Sequence, residues 1–409
     1  MIYPNFIKKD EVIGICAPSA GVGGKKESFD SSIKTIKSYG FKIKETQSVR
    51  NDNEPSAEAK IRGKEFNDLI KDKSVKMIMS ASGGDYNIEM LPFIDEEAVK
   101  ANPKWVMGAS DPTNILYYLT TKLDIATLYG HNAGSFDILP LHESQLNTFK
   151  IIKGNLVKQN SCDKYDGNPS YDKEMIDYNT DVYWTALAKS NSKLNTKLNY
   201  NDIDIISSEM TTEKQNDEIN DKIDEITDGI NYDIYKSLVK ISGYNIPANL
   251  RHLIPANGYS EANTLEVSGR LIGGCSDCIL NLIGTRYDGT RDFINKYHED
   301  GIIWYFDPFM TSAPDLYRLM LQMKYCGYFK YTKAIIFGRI MFKEGYSDSE
   351  FIEKITKCFT EYDSGDGYVI PIIWNADIGH VKPSFTLING AMANLRCQGG
   401  NASIEMFIR

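Results

Sequence analysis

A chain of 409 residues is longer than one hydrophobic core sustains, so two domains are expected. Hydrophobic residues at 42% and charged residues at 25% are the balance of a packed soluble protein and exclude a disordered or membrane-embedded one. A net charge of -9 excludes the basic surface that reads nucleic-acid backbones, so neither DNA nor RNA is an expected partner.

Residues 1–155 alternate short apolar runs with amphipathic stretches, which predicts an N-terminal α/β domain with a mainly parallel sheet. The first strand, over 11–17, follows Lys8-Lys9-Asp10 and is too short and strand-like for a secretory leader. No run reaches the roughly 18 apolar residues of a spanning helix, so a cytoplasmic chain without a membrane partner is expected. Helical spacing over 29–39 ends at Gly40, where a left-handed cap is wanted, and a second helix is predicted over 57–71.

A strand over 75–80 runs into Ser80-Ala81-Ser82-Gly83-Gly84-Asp85-Tyr86. Paired glycines let a backbone approach a ligand, and such turns open at the carboxyl ends of parallel strands, where ligands bind. An N–H of Gly83 or Gly84 can therefore complete an oxyanion hole with that of Asp111, although the segment equally fits an ordinary βα turn. The strand over 105–109 leads through Gly108-Ala109-Ser110-Asp111-Pro112 into a helix over 113–122. Ser110 thus stands at a strand-to-helix corner, mechanically a nucleophile elbow, where the helix N-terminus favours a developing negative charge. Taken alone, the same residues equally suit a plain helix cap.

A strand over 126–129 is followed by His131, suited to packing or substrate orientation, while His142 follows a Pro-Leu loop with no evident partner. Residues 156–246 form a polar linker, rich in Asn, Asp, Lys, Ser and Tyr across 162–245. Ile219, Ile223 and Ile226 recur at helical spacing in 213–230, which predicts a solvated helix without chemistry.

Regular alternation resumes in a C-terminal α/β domain over 247–409, with strands predicted over 302–306, 334–337 and 369–374 and a helix over 314–325. Seven scattered cysteines indicate reduced thiols. Cys275 and Cys278 form a C-x-x-C, but neither His252 nor His298 completes a metal-ligand spacing, so they read as small buried side chains at a helix start. No phosphate-cradling or zinc-binding motif occurs, and no metal or cofactor is expected. Five histidines limit the choice of a base for Ser110. His298 sits in a charged helical run, whereas His380 is presented by Gly379 just beyond an apolar strand. Asp307 ends the strand over 302–306, where a carboxylate needs a partner, and is the candidate third member; an Asp-Pro turn is the plainer alternative.

These segments together resemble the LD-carboxypeptidase family, which includes muramoyltetrapeptide carboxypeptidases and microcin C self-immunity peptidases. The resemblance runs through residues 12–21, the Ser82-Gly83-Gly84 turn, Gly108-Ala109-Ser110-Asp111, Gly269-Arg270-Leu271-Ile272-Gly273-Gly274, Gly338-Arg339 and Gly379-His380. It implies a serine carboxypeptidase that releases a D-amino acid from muropeptides, with Ser110, His380 and Asp307 as catalytic triad and Gly83, Gly84 and Asp111 as oxyanion donors. It also implies a homodimer acting on a small peptide. A peptidase detoxifying a peptidyl-nucleotide antibiotic would use the same residues, and a non-catalytic peptide-binding protein would keep the same fold. Two departures stand out: the family's usual Glu is here Asp307, one methylene shorter, and Ala109 replaces its usual Tyr. A register shifted by one residue would place Phe306 at the acid position.

Overall fold

The computed structural model describes residues 1–166, 264–309, 311–340, 370–398 and 400–409, with short pieces at 176, 178–181, 184–189, 259–261, 354–356 and 358–359. The helix predicted over 213–230 lies outside the described residues. The first lobe contains strands β1 (Val12–Cys16), β2 (Lys42–Glu45), β3 (Val75–Ser80), β4 (Trp105–Gly108) and β5 (Thr127–Tyr129). Its helices are α1 (Lys26–Ser38), α2 (Ala59–Lys71), α3 (Glu96–Ala101), α4 (Thr113–Leu123) and α5 (Glu143–Ile151). The strand interiors are almost wholly apolar because helices cover both faces, and Ile13, Ile15, Met77, Ile78, Met79, Trp105 and Met107 are fully buried. Helix α1 buries Phe29, Ile33 and Ile36 on one face and is followed by Gly40 at φ +93°.

The second lobe contains β6 (Gln159–Asn160), β7 (Lys164–Asp166), β8 (Tyr178–Asp181), β9 (Thr185–Lys189), β10 (Tyr259–Glu261) and β11 (Thr264–Cys275). These are followed by β12 (Ile302–Asp307), β13 (Thr332–Gly338), β14 (Ile372–Ala376), β15 (Leu387–Asn389), β16 (Met392–Gln398) and β17 (Asn401–Phe407). Helices α6 (Ser276–Leu282), α7 (Thr290–Lys296) and α8 (Ala313–Tyr325) accompany them.

The first sheet has the order β15-β5-β4-β3-β1-β2, parallel throughout except for β15. Strand order reverses at β1, with β2 on one side and β3 on the other, so ligand-binding loops are expected beyond the carboxyl ends of these strands. The second sheet has the order β10-β9-β14-β13-β12-β11-β16-β17-β6, with a parallel centre of β14, β13, β12 and β11 flanked by antiparallel strands. The expected two-lobed α/β architecture is therefore present, and two features of it were not evident in the sequence. Strand β9, inside the stretch read as polar, joins the larger sheet through its pairing with β14. Strand β15, near the end of the chain, pairs with β5 in the first sheet. No helix among the described residues is long and apolar enough to cross a membrane.

Two histidine readings change. His298 lies exposed beyond the end of α7 rather than within a helix. His142, read as having nothing beside it, caps α5: its ring accepts from the Ser144 N–H at 3.1 Å, while Gln145 returns a bond to its backbone N–H at 2.9 Å.

Candidate active site

Ser110 follows β4 with φ +66°, a left-handed conformation that costs a non-glycine residue roughly 1–2 kcal/mol. The surrounding structure fixes this conformation. The side-chain amide of Asn132 accepts from the Ala109 N–H at 3.0 Å and donates to the Ala109 carbonyl at 3.2 Å, gripping the corner from the loop after β5. The Ser110 carbonyl accepts from the Thr113 N–H at 2.8 Å as α4 begins.

The plain-cap reading of this corner does not hold, because neither Ser110 nor Asp111 caps α4; the Asn87 side chain does so instead, its oxygen accepting the Ile115 N–H at 3.0 Å. The Asp111 carboxylate turns away and receives the Asn87 N–H at 2.7 Å and the Asn114 amide at 2.8 Å. Burial pushes this carboxyl group up, against the opposing pull of its hydrogen bonds from Ser19 and Asn87. Asp111 thereby ties the elbow to the segment after β3 that carries Gly83 and Gly84.

Gly83 faces the nucleophile: a Cβ there would lie 3.1 Å from the Ser110 Cβ and 3.2 Å from its Oγ. Gly84, at φ +135°, packs against Ser19 and Ala20, where a side chain would collide. Arg62, buried on α2, braces this loop, donating to the carbonyls of Pro18 and Tyr86 at 2.7 Å each and to Ala57 at 2.9 Å. Among the described residues, the N–H groups of Gly83, Gly84 and Asp111 donate to no protein acceptor. Their hydrogen-bonding capacity is therefore unspent within the protein.

Asp307 ends β12 and is completely buried. Its Oδ2 lies 2.8 Å from Nδ1 of His380, although the ring N–H is not aligned for a hydrogen bond. Its Oδ1 accepts the His380 backbone N–H at 3.2 Å. Burial alone would raise the Asp307 carboxyl group; the His380 ring, the Tyr129 hydroxyl and the His380 N–H outweigh it and hold the group below the usual carboxylate range.

The shorter acid is accommodated by a closer backbone. Gly379, at φ +97°, packs so tightly that a Cβ there would overlap the Asp307 carboxylate. Phe306, the alternative at the acid position, is buried in the sheet and stacks on Trp304 and Phe337 instead. The Phe309 ring stacks on the His380 imidazole with centroids 3.9 Å apart and planes at 15°, which fixes the ring orientation.

The structure thus brings Asp307 and His380 together directly, and places Gly83 and Asp111 around Ser110. No hydrogen bond joins the Ser110 hydroxyl to the His380 ring. The link runs through Tyr129, at the end of β5, whose hydroxyl accepts from the Ser110 N–H at 3.3 Å and donates to the Asp307 carboxylate. Burial and the Asp307 charge push the Tyr129 phenol far up, so it acts as a neutral donor. Tyr129 and Asn132 went unread in the sequence because one resembles a core strand residue and the other an ordinary loop amide. Their place directly after a parallel strand was the available signal.

His131 faces the first-lobe core, with Nδ1 3.0 Å from the Thr148 hydroxyl and its ring against Phe136. Cys275 and Cys278 are buried at the start of α6, as read, and the Cys278 thiol lies 3.6 Å from the Ser110 carbonyl.

Comparison with known proteins matches residues 13–130 to the LD-carboxypeptidase N-terminal domain and residues 268–395 to the LD-carboxypeptidase C-terminal domain. The Escherichia coli microcin C7 self-immunity protein is 35% identical over 106 residues, covering 26% of this chain and 31% of that protein. A Vibrio cholerae protein named as a carboxypeptidase is 30% identical over 132 residues, covering 32% of this chain and 40% of that protein. The chain thus spans less than half the length of these two relatives. A Bacillus subtilis protein named as a carboxypeptidase is 22% identical with 98% of each chain covered. In overall fold the chain is similar to the microcin C7 self-immunity protein in complex with aspartyl sulfamoyl adenosine (TM-score 0.65, 21% identity, covering 99% of this chain and 98% of that one). It is also similar to muramoyltetrapeptide carboxypeptidase from Oxalobacter formigenes (TM-score 0.59, 17% identity, covering 97% and 98%).

Proposed function

The chain belongs to the LD-carboxypeptidase family, and on that premise we propose that it is a serine carboxypeptidase releasing a C-terminal D-amino acid from muropeptides. The observation that carries this reading is the 2.8 Å approach of the buried Asp307 carboxylate to the His380 ring, tied through Tyr129 to a left-handed Ser110 that Gly83 faces.

In the proposed reaction, Ser110 Oγ attacks the carbonyl carbon of the last amide, and the oxygen's developing charge settles on the N–H groups of Gly83 or Gly84 and Asp111. His380 takes the serine proton and passes it to the departing amine. Asp307 holds the imidazole tautomer and stabilises the imidazolium that forms. Water then attacks the acyl-serine by the reverse proton path, which frees the shortened peptide and regenerates Ser110. Hydrogen bonds of this kind are often long without substrate and tighten on binding, which accords with a Ser110 hydroxyl not yet bonded to the imidazole.

Ser110→Ala should abolish release of D-alanine from a muramoyl tetrapeptide, measured by amino-acid analysis. Undiminished release by that variant would remove Ser110 from the mechanism. A second reading rests on the 35% identity with the microcin C7 self-immunity protein: a peptidase acting on an aminoacyl-nucleotide conjugate. Parallel turnover of a tetrapeptide and an aminoacyl sulfamoyl nucleoside decides between the two, with the higher kcat/KM identifying the substrate class.

A further inference from the structure

We propose that Tyr129 is a positioning residue that locks the short acid Asp307 to the nucleophile elbow and thereby keeps His380 in register with Ser110. The inference rests on the catalytic reading of Ser110, Asp307 and His380 and adds a fourth residue to it. An aspartate reaches one methylene less far than a glutamate, so its carboxylate has less freedom to find an imidazole and must be held from both sides. On one side stand Gly379 and the His380 N–H, bonded to Oδ1. On the other stands the Tyr129 hydroxyl, bonded to Oδ2, the same oxygen that approaches the His380 ring.

The single phenolic proton goes to Asp307, which leaves the Tyr129 oxygen free to accept the Ser110 N–H. Two consequences follow from that geometry. The acid and the elbow become parts of one rigid unit, although they come from different sheets and from positions 110 and 307. The Ser110 N–H is also occupied, so oxyanion binding falls to the N–H groups of residues 83, 84 and 111. The other titratable groups facing Asp307 are Cys275, Asp277 and Cys278 at the start of α6, Tyr305 on β12, and His380 and Lys382 in the loop after β14. A phenylalanine at 129 alters none of them.

The test compares Tyr129→Phe with Tyr305→Phe in the full chain. Tyr305 is an equally buried neighbour, with ring centroids 5.8 Å apart, whose hydroxyl donates to Asn389 at 2.7 Å rather than to Asp307. Tyr129→Phe loses two hydrogen bonds and Tyr305→Phe one, and both variants should show lower unfolding midpoints. Only Tyr129→Phe should lower kcat for D-alanine release, by roughly 10- to 100-fold with KM unchanged. In the same variant the ring nitrogens of His380, followed by nitrogen-15 NMR at fixed pH, should change their chemical shifts, because the carboxylate that orients the imidazole has lost its second anchor. This spectrum needs no substrate: a wild-type chain inactive on muropeptides would defeat the substrate assignment while still testing Tyr129. Unmoved His380 ring nitrogens in Tyr129→Phe overturn the proposal, as does a kcat equal to that of Tyr305→Phe.

Discussion

Residue 379 decides how an aspartate can stand where a glutamate is usual. Its missing side chain lets the backbone close on Asp307 and deliver the His380 N–H to Oδ1, so the carboxylate meets the imidazole without the extra methylene. Restoring the longer acid should therefore harm the site. Asp307→Glu would drive its added carbon into the space Gly379 already fills, and Gly379→Ala would force a methyl group into the carboxylate while straining a positive φ. Each variant should lower kcat about 100-fold, the scale of a displacement near 1 Å at a reacting group. Steady-state kinetics on a peptide substrate check this, and a fully active Asp307→Glu would contradict the packing argument. The sequence displayed both Asp307 and Gly379-His380, and it also displayed the departure from glutamate. The compensation was not legible there, because it depends on how closely two loops more than 70 residues apart approach in the folded chain.

At the scale of elements, parallel strands lift three loops to one edge. The segment after β3 carries Gly83, the corner after β4 carries Ser110, and the loop after β5 supplies the Asn132 grip. Apolar runs and glycine corners made the strands and the first two loops readable in the sequence. The braces were not readable: Arg62 lies on a helix whose pattern would place a cation outside, yet its guanidinium is buried against three carbonyls. Gly83 tests whether the loop serves catalysis or only closes the fold. Its φ is not in the left-handed region, so alanine is conformationally allowed there, and the added methyl group would press first on the Ser110 side chain, at 3.1 Å from its Cβ and 3.2 Å from its Oγ. Gly83→Ala should therefore leave the unfolding midpoint nearly unchanged while lowering kcat roughly 10- to 100-fold by crowding the hydroxyl and the oxyanion position. A variant that unfolds early but turns over normally would assign Gly83 to structure alone.

The two sheets are tied together by a strand that returns late in the chain, β15, to pair with β5 in the first sheet. Chain order predicts two successive lobes; it cannot show that β15 returns to pair with β5, since a three-residue apolar strand leaves almost no periodic signal. Asn389 at the end of β15 makes the return binding. Its side-chain oxygen accepts the Gly273 N–H at 3.0 Å from β11 and the Tyr305 hydroxyl at 2.7 Å from β12, while the strand itself is paired to the first sheet. Asn389→Ala would leave those two buried donors unpaired, costing about 2–4 kcal/mol in total. If the lobes fold as one unit, that loss should appear equally in both, and single-tryptophan variants keeping Trp105 in the first sheet or Trp304 in the second should report coincident denaturation midpoints, shifted together by Asn389→Ala. Separated midpoints would mean that the lobes melt independently, and the site they share, with Ser110 on one sheet and Asp307 on the other, would then depend on how often they are docked.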